Sequence, residues 1–215
     1  MLRLYTYFRS SAAYRVRIGL NLKGLAYESV PVHLVRGGGE HLSDAYRALN
    51  AGAMVPTLVD GDAALGQSLA ILEYLDETHP AVPLLPVHPL GRARVRSLAL
   101  TVACEIHPIN NLRVLKYLTG TLGVGEKMKS EWYRHWVTEG LAILETRLAC
   151  EPQTGRYCHG DTPTLADCFL IPQVYNAQRF HVDLAPYPAI RRIHAACANL
   201  PAFSAAHPAR QPDAE

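Results

Sequence analysis

Along residues 2–7, Leu2 and Leu4 alternate with Tyr5 and Tyr7, the period-two pattern of a strand. The pattern then changes. Val16, Ile18 and Leu20 lead through Leu22 to Gly24, which predicts a helix with a glycine stop. Residues 27–34 are a second β-prone run, and Pro31 within it predicts an edge strand. A Gly37-Gly38-Gly39 loop and a short helix over 44–49 follow. Residues 54–62 read as a strand closed by a tight Asp60-Gly61 turn, with a partner strand over 63–65. Ile71, Leu72 and Leu75 then line one face of a helix whose opposite face carries Glu73, Asp76 and Glu77. Ser68 is placed to cap that helix and Thr78-His79-Pro80 to end it. The order β-α-β-α-β-β-α predicts a thioredoxin-like domain over residues 1–81.

Residues 82–89 are rich in proline and predict a linker. From residue 90 onward only helical patterns recur, so an all-helical domain is expected over 90–215. Val95, Leu98, Val102 and Ile106 form the stripe of a helix over 92–106. His107-Pro108 should bend or break it, because proline removes a backbone donor and crowds the preceding turn. Ser130 is read as the start of a helix bearing Trp132, Trp136, Leu141, Leu144 and Leu148. The two tryptophans at that spacing are read as core or interface. Thr164 and Asp167 stand at capping-box spacing before an apolar run through Leu165 and Phe169 to Arg179. A last helix is expected over 190–200, and a disordered tail after 208.

Composition narrows the classes of partner. The net charge is +2, too small for a nucleic-acid binder relying on bulk electrostatics. Arginines cluster locally at Arg9, Arg15 and Arg17 and at Arg92, Arg94 and Arg96, a pattern suited to small anions. No stretch is long and apolar enough for a bilayer, and the first residues lack a signal-peptide core, so a cytoplasmic protein without membrane contact is expected. The five cysteines include no C-x-x-C pair, which favours reduced core thiols over a disulfide framework or a metal site.

The candidate chemistry lies at the first strand-to-helix turn, where Ser10 and Ser11 coincide with free N–H groups and the positive end of a helix dipole. The run Ser10-Ser11-Ala12-Ala13-Tyr14-Arg15-Val16-Arg17-Ile18 resembles the signature of zeta-class glutathione transferases, the family that includes the maleylacetoacetate and maleylpyruvate isomerases. Val55-Pro56-Thr57-Leu58 and the segment from Gln67-Ser68 to Leu75 are similar to the other two glutathione-site segments of that family. The likeness covers nearly the whole chain. It departs at Ala12, where the family usually carries cysteine, so glutathione must supply the only sulfur nucleophile.

The resemblance implies the two-domain glutathione transferase fold, α/β followed by all-α, in a homodimer with glutathione as cofactor. It implies that Val55 and a cis Pro56 hold the cysteinyl amide like an added strand, and that Gln67 and Ser68 receive the γ-glutamyl carboxylate. Ser10 and Ser11 would face the thiol and lower its pKa, with His41 a further cofactor contact. His107 would lie opposite the thiol, with Asn111 beside it. Arg9, Arg113 and Arg179 would clamp carboxylates and the enolate oxygen formed during turnover, since guanidinium pairs carboxylate bidentately. Of Arg15 and Arg17, one is expected to face the cleft and the other to form a structural ion pair.

The implied reaction is glutathione-dependent cis–trans isomerisation of maleylacetoacetate to fumarylacetoacetate, a step of aromatic amino-acid catabolism. The alternatives are a maleylpyruvate isomerase of gentisate catabolism and a general transferase acting on electrophiles such as α-halo acids. A non-catalytic glutathione-binding protein is a further alternative.

Overall fold

A computed structural model describes all 215 residues. The chain divides into two compact units, one formed by Met1–Leu84 with Ala198–Glu215 and the other by Leu85–Cys197.

The first unit is built on a four-stranded sheet of order β2-β1-β3-β4. Strand β1 (Leu2–Thr6) pairs parallel with β2 (Tyr27–Pro31) and antiparallel with β3 (Thr57–Asp60). Strand β4 (Ala63–Gly66) closes a hairpin with β3. Pro31 stands on the edge strand, where a missing backbone donor is tolerated. Helices α1 (Ser11–Leu22), α2 (Asp44–Leu49) and α3 (Ser68–Thr78) complete the thioredoxin-like arrangement. Ile18 and Leu20 of α1 and Ile71, Leu72 and Leu75 of α3 are wholly buried with Leu4 and Leu58 of the sheet. Gly19 lets α1 approach α3, because a Cβ there would overlap the Leu72 side chain. Lys23 Nζ closes the far end, donating to Asp76 Oδ1 and to the carbonyls of His79 and Val82.

The C-terminal residues correct the sequence reading. Beyond the helix Pro188–Ala198, a further helix α9 (Pro201–Ala206) packs on α1, and Arg17 Nε donates to Ala206 O at 3.1 Å. The stretch after Pro208, expected to lack order, makes a 3-10 turn, and Asp213 accepts from the Phe8 N–H at 2.9 Å. These bonds join residues about two hundred positions apart, so no local pattern announces them.

The second unit is all helical: α4 (Pro89–Leu100), α5 (Leu112–Gly120), α6 (Glu126–Cys150), α7 (Leu165–Arg179) and α8 (Pro188–Ala198). Helix α6 begins four residues before the expected Ser130. The helix expected over 92–106 is α-helical only to Leu100; residues Thr101–Ile106 widen into a π-helix, and His107 N–H bonds Val102 O. Pro108 has no N–H to continue an α-helical ladder, and the chain passes through a short 3-10 turn into α5. Ile106 seats against Gly140 of α6, where any Cβ would overlap it. Asp167 forms the expected capping box. Its carboxylate accepts from the Thr164 N–H and hydroxyl and from the Cys158 N–H, all within buried surroundings. Glu145 of α6 accepts from the N–H groups of Ala189 and Ile190, anchoring the start of α8.

Candidate active site

In the first unit the serine pair divides its labour. Ser10 has extended backbone geometry and caps α1, its Oγ accepting from Ala13 N–H at 3.2 Å. Ser11 is the first helical residue and is buried. Its hydroxyl therefore stands at the positive end of α1, where a thiolate is favoured over a thiol. The turn that presents the pair is fixed on both sides. Ser10 N–H bonds Tyr7 O, and Arg17 donates to Thr6 Oγ1, Tyr7 O and Phe8 O.

Arg17 is wholly buried among these acceptors, so it organises the turn's carbonyls. Arg15 is also buried, and its Nη1 donates to Ser68 Oγ at 3.2 Å. A cation thus lies behind the start of α3. Ser68 is not the cap of that helix, as its sequence position suggested. The N-cap position belongs to Gln67, whose backbone is left-handed at φ 65°. For a residue with a Cβ that conformation costs on the order of 1–3 kcal/mol, and such strain collects at ligand clamps. The Val55–Pro56 bond is cis. The preceding Met54 carbonyl accepts from Tyr46 Oη and Asn50 Nδ2, and both side chains also bond Thr57 Oγ1, holding this corner rigid.

Arg9 is exposed, its guanidinium donating to Tyr7 Oη and lying 5.0 Å from the Phe8 ring centroid. His41 sits half-buried in a short 3-10 turn after the glycine loop.

In the second unit His107 and Asn111 are brought together. Asn111 caps α5, its Oδ1 accepting from Arg113 N–H at 3.2 Å, and its Nδ2 lies 3.4 Å from His107 Nε2. Arg113 and Arg179 are exposed, at the first turn of α5 and the last turn of α7. Arg179 lies over the rings of Phe180 and Tyr175, and Phe180 stacks on the buried Tyr133. Burial pushes the Tyr133 hydroxyl up to about 12, with the Arg179 charge opposing the shift. Tyr133 therefore stays protonated across the physiological range.

Two of the five cysteines, Cys104 and Cys150, are exposed. Cys158, Cys168 and Cys197 are buried, and burial pushes the thiols of Cys158 and Cys197 well above the usual range. The sequence left Arg15 and Arg17 undivided because both follow the helical period. Their fates depend on Ser68 and on the Tyr7–Phe8 carbonyls, distant or non-helical partners that no periodicity reports.

Two family models match the chain: the glutathione S-transferase N-terminal domain over residues 4–83 and the glutathione S-transferase C-terminal domain over residues 137–196. A probable maleylacetoacetate isomerase of Vibrio cholerae is 52% identical over 98% of this chain and 97% of its own length. Among solved structures, a holo maleylpyruvate isomerase, a bacterial zeta-class glutathione S-transferase, superposes with TM-score 0.96 at 51% identity, covering 99% of this chain and 100% of its own. The maleylacetoacetate isomerase of Methylobacterium extorquens, solved with malonate and glutathione, matches with TM-score 0.95 at 45% identity over 99% of each chain. The chain belongs to the glutathione S-transferase family, in its zeta class.

Glutathione is the cofactor of that family, and the first unit has chemistry suited to it. One helix start carries a buried serine, a second is backed by a buried arginine, and the Val55–Pro56 corner is held by side-chain hydrogen bonds.

Proposed function

We infer that this chain is a glutathione-dependent cis–trans isomerase of a maleyl-type dicarboxylate, with maleylacetoacetate as substrate and fumarylacetoacetate as product. The observation that carries this is the end-to-end likeness, at about half identity, to isomerases of this kind. When bound, glutathione supplies a thiolate that adds reversibly to a conjugated double bond, allows rotation about it and leaves unchanged. The protein's share is positioning and electrostatics.

Ser11 donates a hydrogen bond to the sulfur, and the α1 dipole favours its ionised form. Ser10 holds the helix start in place. Gln67 and Ser68, with Arg15 behind Ser68, receive the γ-glutamyl carboxylate, while Val55 and Pro56 pair with the cysteinyl amide. His41 contacts the peptide's glycyl end. His107, oriented by Asn111, positions the cofactor or carries a proton. Arg9, Arg113 and Arg179 take the substrate carboxylates and the developing enolate oxygen, and the three exposed guanidiniums are free of carboxylate partners. Malonate bound by the Methylobacterium relative is itself a dicarboxylate, which agrees with that assignment.

A second substrate has its own support, since the maleylpyruvate isomerase matches equally well. The two substrates differ by one methylene, which in maleylacetoacetate separates the outer ketone from the terminal carboxylate. That is worth about 1–3 kcal/mol of discrimination in a pocket. We read the chain as a cytoplasmic homodimer; gel filtration would return twice the chain mass. The decisive assay follows both maleyl substrates with and without glutathione. Turnover of at least one that requires glutathione is expected, and turnover indifferent to glutathione would refute the reading.

A further inference from the structure

The last three residues attach to two segments that each deliver a cofactor-site residue. Asp213 Oδ2 accepts from Phe8 N–H at 2.9 Å, two positions before Ser10. The Phe8 carbonyl accepts from Arg17 Nη2 at 3.0 Å, so the Phe8 residue is gripped at both its N–H and its C=O. Glu215 Oε1 lies 3.1 Å from His33 Nε2 and 3.0 Å from Arg36 Nη2.

His33 is itself oriented for that contact. Its Nδ1 accepts from the N–H groups of Val35 and Arg36, which leaves the proton on Nε2, pointing at Glu215. His33 and Glu40 also close the intervening loop through two bonds, His33 N–H to the Glu40 side-chain Oε2 and Glu40 N–H to His33 O. His41 is the next residue. A cavity of about 430 Å³ lies between the tail and this loop, lined by Pro31, His33, Arg36 and Glu40 on one side. The attachment of residues 213–215 therefore rests on these polar bonds more than on packed apolar surface.

We propose that Asp213–Glu215 form a positioning strap for the cofactor site, with Asp213 setting the Phe8–Ser10 turn and Glu215 setting the 33–41 loop. The strap touches no reacting atom. It acts through the Phe8 amide on the direction in which Ser10 and Ser11 leave β1, and through His33 on the placement of His41. This rests on the glutathione-site reading above.

The test measures glutathione binding by calorimetry, and the ionisation of the bound thiol by its ultraviolet absorbance as pH is varied. Wild type, Asp213→Ala, Asp213→Asn and Glu215→Ala are compared. Loss of one hydrogen bond of ordinary strength corresponds to about fivefold. Asp213→Ala should weaken binding by about that factor and shift the bound thiol's titration upward. Asp213→Asn retains an acceptor for Phe8 N–H and should restore most of both. A purely structural tail would lower the unfolding midpoint and move neither.

If Asp213→Ala does not fold, Glu215→Ala decides, because that residue is exposed: about twofold weaker binding is expected. Unchanged affinity and unchanged thiol titration in a folded variant would overturn the strap. Absence of glutathione binding by the wild type would overturn the cofactor reading instead, so the two failures are distinguishable.

Discussion

The two units hold their candidate groups in opposite ways. In the first, the residues are built into the backbone: Ser10 is a helix cap, Ser11 and Ser68 are buried helix starts, and Arg15 and Arg17 are buried donors. In the second, His107 and Asn111 are tethered to each other, but Arg113 and Arg179 stand exposed at helix ends. A cofactor that is the same in every turnover rewards a preorganised site. A dicarboxylate with a variable middle asks only for cations at suitable places, and guanidinium on a long stem supplies that.

The largest expected effect breaks the second unit's frame. Asp167→Ala orphans three buried donors, the N–H groups of Cys158 and Thr164 and the Thr164 hydroxyl. Urea unfolding followed by circular dichroism should show a loss of about 3 kcal/mol. Asp167→Asn should also destabilise, because both carboxylate oxygens already accept an N–H and one would become an NH2. Burial raises the Asp167 carboxyl above its ordinary 3.8, so ionisation is costlier folded than unfolded. That contribution to stability is fully present below the unfolded value and is lost as pH rises through the folded one.

Next comes Ser11→Ala, which leaves the fold and the Ser10 cap in place. Removing one preorganised donor from a reacting centre costs about 100-fold in kcat. Steady-state kinetics at saturating glutathione should show this with little change in substrate KM. Arg179→Gln should do the reverse. Loss of a charge-assisted pair worth about 1.5–3 kcal/mol raises the maleyl substrate KM by about 10- to 100-fold while the glutathione Kd holds. If Arg179→Gln weakened glutathione binding instead, the division between the units would fail.

The smallest effect is electrostatic. Hydrogen bonding from Arg36, reinforced by the hydrogen bond from His33 and by the Arg36 charge, holds the Glu215 carboxyl below its ordinary 4.5. A group depressed in the fold contributes above its ordinary value and loses that contribution as pH falls through the folded one. The difference in glutathione affinity between wild type and Glu215→Gln should therefore be present at pH 7 and vanish in the acid range below 4.5.

What could be read in advance follows the range of each interaction. Pro31 announced an edge strand and Thr164-x-x-Asp167 a helix start, because both signals are local. The serine turn was legible for the same reason. The π-helix at Thr101–Ile106 was not: its apolar stripe matches an α-helix, and only the ladder bond from His107 to Val102 reveals the wider turn. The buried state of Arg15 and Arg17 was hidden too, since arginine on a helix is ordinarily solvated. The tail escaped for a third reason. Its polar, proline-containing sequence suits a free end, and its order comes from Phe8, His33 and Arg36, far away in the chain.

The claim at the centre is that glutathione acts as catalyst and is not consumed. The most direct measurement supplies the maleyl substrate in about 100-fold excess over glutathione and titrates free thiol when conversion stops. Conversion of the whole substrate pool to the trans acid, with the thiol titre unchanged, is the predicted result. Conversion halting at one equivalent of glutathione, with the thiol lost, would contradict it and mark a conjugating transferase.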